Sequence, residues 1–130
     1  MKRALLVATV FLVVFTAACG GGGGGAPDQV AKQWFQALAK GDQDTLKSLT
    51  CAASQSDMTD AFGSLAEMAG TVTIDVSGLS FKTTEESGDN ATVQVSGNIK
   101  VELLGQSAEE PMNEDMPMVK EGGNWKVCGN

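Results

Sequence analysis

From Pro27 onward apolar residues recur every three to four positions. Val30, Ala31, Trp34, Phe35 and Leu38 fall on one face of a 3.6-residue period, which predicts an amphipathic helix. Pro27 and Asp28 suit its first turn and Gly41 its end. Asp42 then stands where an N-cap belongs, before a second, short helix that carries Leu46 and Leu49 and delivers Cys51. Met58, Phe62, Leu65 and Met68 predict a third helix from Asp57 to Met68, closed by Gly70.

Beyond Thr71 the period changes to two. Val72, Ile74 and Val76 alternate with Thr73, Asp75 and Ser77, as in a half-buried strand. After Gly78 the apolar positions move to Leu79 and Phe81, so a β-bulge at Ser77-Gly78 is expected to keep one face apolar through a bend. Ser87-Gly88-Asp89-Asn90 reads as a turn. Ala91, Val93, Val95, Gly97, Ile99, Val101 and Leu103 then alternate unbroken. Gly105 to Asp115 reads as a polar, acidic loop, and Met116–Glu121 with Trp125–Cys128 as a closing hairpin around Gly122-Gly123-Asn124. This order predicts an α+β fold, with three N-terminal helices packed on a bent antiparallel sheet of about four strands and residues 27–130 as a single domain. A regular last strand would put Trp125 and Val127 on a face that Cys128 does not share. Either the strand stops before Cys128 or Trp125 turns away from the helices.

The N-terminus has a different grammar. Lys2 and Arg3 precede an apolar run from Ala4 to Phe15 that only Thr9 interrupts, a pattern of a signal-peptide core. It falls short of the roughly 20 apolar residues that span a bilayer. Thr16-Ala17-Ala18-Cys19 resembles the lipobox cut by lipoprotein signal peptidase, although an aliphatic residue is more usual at the position of Thr16. Residues 1–18 are therefore expected to be removed and Cys19 to carry lipid. Two acyl chains, at about 0.8 kcal/mol per buried CH₂, hold firmly to a membrane. Ordinary cleavage after Ala18, leaving Cys19 a free thiol, is the alternative. Residues 19–26, with glycine from 20 to 25, read as a flexible tether. The expected location is the cell envelope, facing periplasm or exterior. Gly20 is not the aspartate that commonly retains lipoproteins at the inner membrane, which favours the outer membrane in a bacterium with two.

The chain has nine basic residues against sixteen acidic, a net charge of −7, and Lys2 and Arg3 leave with the leader. So acidic a domain is no partner for nucleic acid and has no electrostatic grip on anionic lipid. With Cys19 assigned to lipid, Cys51 and Cys128 remain, the parity of one disulfide in an exported domain. Zinc ligation by this pair is the weaker reading, since the chain has no histidine to complete the set.

Two segments carry a resemblance: Phe35-Gln36-Ala37-Leu38-Ala39-Lys40-Gly41-Asp42, ending the first helix, and Met118-Val119-Lys120-Glu121-Gly122-Gly123-Asn124-Trp125-Lys126-Val127. Together they resemble the small exported lipoproteins of the nuclear-transport-factor-2-like superfamily, in particular a bacterial family described as lumazine-binding-like. The resemblance covers most of residues 27–130 and is uninformative about activity. Such folds are cones whose open end can hold a ligand, so it implies a pocket between the first helix and the concave sheet. Trp34, Phe35, Leu38, Phe62 and Phe81 are its candidate lining. Apolar residues at helical spacing are more often plain core, and that alternative stays open.

Isomerases and dehydratases of this fold pair an Asp with Tyr, or use His, and this chain has neither Tyr nor His. Asp75 alternates with apolar neighbours and should face solvent, a poor place for a general base. Glu109, Glu110, Glu114 and Asp115 lack the spacing of a calcium loop. Met112, Met116 and Met118 offer soft thioethers that would suit cuprous ion, but methionine is more commonly core filler. No cofactor and no catalytic residue is expected. The sequence supports a lipid-anchored, non-enzymatic envelope domain that binds a small apolar ligand or a partner protein. The competing reading is a structural or interaction lipoprotein whose interior is filled by its own side chains. Replacing Cys19 with Ala should release the protein from membranes or stall it as an uncleaved precursor. A variant that matures normally and still fractionates with lipid would refute the anchor.

Overall fold

The computed structural model describes residues 25–68 and 70–129. Cys19, the leader expected over 1–18 and all of the tether except Gly25 and Ala26 lie outside them. The elements are α1 (Pro27–Lys40), α2 (Gln43–Ser48), α3 (Gln55–Ala66), β1 (Val72–Asp75), β2 (Leu79–Ser87), β3 (Asn90–Leu103), β4 (Gln106–Glu121) and β5 (Asn124–Val127). Among the described residues no helix is long and apolar enough to cross a membrane.

Pro27 starts α1, and Gly41 ends it at φ 70°, donating its N–H to the carbonyls of Ala37 and Leu38. That left-handed conformation favours glycine because it lacks a Cβ. Asp42 caps α2 as expected, accepting from the Thr45 N–H at 3.1 Å and from the Thr45 hydroxyl at 2.7 Å. These bonds hold its carboxyl below the usual carboxylate range, because they favour the ionised form. At the other end of α2 the Lys126 ammonium donates to the Ser48 carbonyl, where a cation suits the helix dipole. The third helix begins earlier than expected and ends at Ala66. Phe62 is buried and Met58 half-buried, but Met68 lies beyond the helix, 46% exposed. There its carbonyl accepts from both the N–H and the hydroxyl of Thr71 as the chain turns towards β1. The side chain of Leu65 lies outside the described set.

Among the described residues the sheet is antiparallel with five strands, and β3 is its spine. One edge of β3 pairs with β4 along its whole length. The other edge is shared: Val72–Asp75 pair with Leu103–Lys100, and Leu79–Ser87 with Gly97–Asn90. The bulge expected at Ser77-Gly78 is thus a break between two strands. The Leu79 N–H bonds to the Val76 carbonyl across it, and a register shift falls instead between Thr83 and Glu85. The cause is visible at Gly97, at φ 122°, where a Cβ would meet the Gly78 carbonyl oxygen at 2.1 Å. Two backbones touch there, which only glycine permits.

Residues 105–115 depart most from expectation, since Gln106 to Asp115 belong to β4. Leu104 (φ 51°) and Gly105 (φ 80°) form the two-residue turn that starts it. Both faces of this stretch are largely exposed, so no hydrophobic alternation announces it; the pairing with β3 holds it. Among the described residues its outer edge from Gln106 to Asp115 has no partner strand. The Cys128 N–H bonds to the Pro117 carbonyl and the Lys120 N–H to Asp89, so odd residues of β4 direct their backbone groups away from β3. Pro111 and Pro117 are both odd. Neither costs β3 a hydrogen bond, and Pro111 removes an outward donor from the bare stretch, which also carries Glu109 and Asp115.

The inner face of the sheet packs on α1. Val30, Ala31 and Phe35 meet Ala91, Val93, Val95, Met118, Trp125 and Val127 in one cluster, while Ala37, Leu46 and Phe62 form a second beneath α2 and α3. Burial of a side chain such as Phe35 contributes about 2 kcal/mol. The strand β5 ends at Val127, so Trp125 stays in the core and Cys128 leaves the strand free to meet Cys51. The two are bridged, with Cα atoms 5.2 Å apart. Beside the bridge the Cys51 N–H bonds to the Val127 carbonyl and the Val127 N–H to Leu49. The bridge closes a loop of 77 residues, for which chain entropy gives about 4–5 kcal/mol. The double variant Cys51→Ala/Cys128→Ala should lower the urea midpoint accordingly. An unchanged midpoint would show that the bridge is dispensable.

Candidate functional site

Down the inner face of the sheet α1 leaves space on both flanks. On the β4 side a cavity of about 390 Å³ is bounded by Trp34 and Phe35 of α1, by the segment from Thr50 to Met58, and by Val95, Met112, Glu114, Met116 and Val127 of the sheet. On the β1–β2 side an open groove of about 700 Å³ runs between Lys32, Gln36 and Lys40 of α1 and Ile74, Asp75, Leu79 and Phe81. Although larger, the groove has polar or charged side chains along much of both banks. The cavity has mostly apolar walls and is the better candidate for a ligand.

Of the five residues expected to line one pocket, only Trp34 and Phe35 reach this cavity. Phe35 is buried and forms the partition: its ring lies 5.2 Å from Trp34 and 5.5 Å from Phe81. Phe81 therefore faces the groove on the far side. Leu38 packs between the two core clusters, and Phe62 is buried beside Leu46, next to a shallow depression at α2.

The cavity's side-chain donors are engaged within the protein. The Trp34 indole N–H donates to Thr50 at 3.0 Å, and the Thr50 hydroxyl donates to the Leu46 carbonyl at 2.7 Å. The Ser54 hydroxyl donates to the Gly129 carbonyl at 3.1 Å. Every lining side-chain donor is thus engaged, while three exposed carboxylates border the cavity, Asp57, Glu114 and, from the outer face of β4, Asp115. A proton-abstracting catalyst also needs a donor at the developing oxyanion, and no lining side chain offers a free one.

The other candidate groups are dispersed. Glu109 and Asp115 share the outer face of β4, whereas Glu110 and Glu114 stand on the inner face, opposite Ile99 and Val95. Met118 is buried in the core. Met112 and Met116 both line the cavity, but four residues of strand set them about 13 Å apart, too far for ready chelation of one ion. Among the described residues no three His, Cys, Asp or Glu side chains gather as a metal site. Asp75 is exposed, and its bonds from Ser77 hold its carboxyl below the usual range, the wrong direction for a base at neutral pH. What sequence reading missed is the wall made by Met112, Glu114 and Met116. Its signal was the even-numbered recurrence of methionine at 112, 116 and 118, which is strand periodicity inside an apparent loop.

No protein-family model matches the chain, and no curated protein matches its sequence. Among solved structures, a ketosteroid isomerase-like protein from Erwinia carotovora atroseptica SCRI1043 superposes with a TM-score of 0.63 at 15% identity. The match covers 78% of this chain and 90% of that one. At that identity the likeness shows the fold, a helix-lined sheet of the nuclear-transport-factor-2-like kind, and leaves activity open.

The Trp34–Thr50 bond is testable on its own. Thr50 is 3% exposed, so Thr50→Val keeps the shape but strands a partly buried N–H, at a cost of about 1–3 kcal/mol. Melting should show that loss, and adding Trp34→Phe, which removes the stranded donor, should recover part of it. A neutral Thr50→Val would mean that the bond holds nothing.

Proposed function

We propose that the chain is a lipid-anchored envelope lipoprotein whose domain binds a small apolar ligand in the cavity beside α1, without catalysing a reaction on it. The observation that carries this reading is the cavity itself, an apolar recess of about 390 Å³ with its side-chain donors already engaged. A recess of this size is within the range that small ligands occupy. The fold is compatible with ligand binding, and the absence of Tyr and His from the chain supports a role without chemistry. Anchoring rests on the lipobox-like Thr16-Ala17-Ala18-Cys19, and location at the envelope, on the outer membrane where there are two, follows from it. The cavity also weighs against a filled interior, in which Trp34 and Phe35 would be plain core.

The neutral dye N-phenyl-1-naphthylamine should bind saturably with about one site per chain, because its rings fit an apolar recess of this size. Met116→Trp should fill the space and abolish binding while leaving the melting temperature near that of the parent. Native mass spectrometry of the protein from its own host should reveal a retained small molecule. A chain that binds no dye and retains nothing would return the interior to the filled reading.

A further inference from the structure

Building on the ligand-binding reading, we infer that the cavity takes an apolar cation, an amine or quaternary ammonium on a compact hydrocarbon body, with Glu114 as its counter-charge. Glu114 stands on the inner face of β4, directly opposite the buried Val95 and between Met112 and Met116. The alternation of that wall would otherwise place an apolar side chain there. Among the described residues every charged residue lining the cavity is a carboxylate, and no lysine reaches it. Lys32 and Lys40 of α1 line the opposite groove instead.

The cost of covering Glu114 separates the possible ligands. Glu114 is exposed at the edge of the cavity, so a neutral apolar ligand strips only part of the water from the carboxylate but returns nothing for what it strips. An anion adds repulsion and finds no free side-chain donor, since Trp34, Thr50 and Ser54 are engaged within the protein. A cation replaces the lost water with a charge-assisted contact. Asp57, across the cavity at the start of α3, adds a second negative charge. The Trp34 and Phe35 rings add π surface, which also attracts cations.

Three ligands sharing one apolar body test this by calorimetry on the purified protein at neutral pH: adamantan-1-amine, adamantan-1-ol and adamantane-1-carboxylate. The amine should bind at least about tenfold tighter than the alcohol, with the carboxylate weakest. Added salt should weaken the amine and leave the alcohol unchanged. Glu114→Gln should bring amine and alcohol within about twofold of each other. Glu109→Gln, on the outer face of the same strand, should change neither. If the alcohol matches the amine, or Glu114→Gln leaves their ratio intact, the charge assignment is overturned while the cavity stands as a binding site. If none of the three binds while the neutral dye does, this inference fails and the ligand-binding reading stands; if the dye fails as well, both fail. The salt response of the unaltered protein decides the question even if Glu114→Gln does not fold.

Discussion

At Gly97 the central strand carries no side chain, and into that gap comes the carbonyl of Gly78, where the chain crosses from β1 to β2. The contact is backbone on backbone, so any Cβ at Gly97 would collide with it. From this crossing follows the arrangement of two short strands in line along one edge of β3. The same edge changes course there, and Leu79 and Phe81 take up the inner face after Val72, Ile74 and Val76. Without the crossing β1 and β2 could not share that edge and still present one apolar wall to α1.

Space beside α1 is a consequence of how little covers that wall. A single helix of fourteen residues lies on it, and α2 and α3 pack chiefly on each other and on α1. The partition at Phe35 then divides what remains into two recesses of different character, one bordered by carboxylates alone and one that sets Lys32 and Lys40 across from Asp75. The disulfide and the neighbouring hydrogen bonds of Cys51 and Val127 fix the segment that closes the cavity. Its geometry is therefore tied to the sheet rather than to a mobile loop.

Legibility in the sequence followed periodicity closely. Residues of α1 and the first half of β3 announce themselves because one face of each is buried and the other wet. The cap at Asp42, the stop at Gly41 and the pairing of Cys51 with Cys128 were equally readable, since each rests on a short-range rule or on parity. What failed was β4 before Met116, whose both faces meet water and whose strand character comes from β3, a long-range cause that a local pattern cannot carry. The candidate site suffered most from that failure, because one of its walls lies there. Phe81 departs for another reason: strand alternation gives its face of the sheet, but which flank of α1 it serves depends on where Phe35 stands.

The unpartnered edge of β4 bears on life in two dimensions. Molecules held on a membrane, as proposed for this chain, meet their neighbours far more often than at equal numbers in solution, and in a restricted set of orientations. A bare strand edge would turn such lateral crowding into polymerisation, each copy adding its sheet to the next. Pro111, without an outward N–H, and acidic side chains that repel their own kind interrupt that growth at each approach. Dense packing on a surface is then compatible with molecules that remain single and whose cavities stay open.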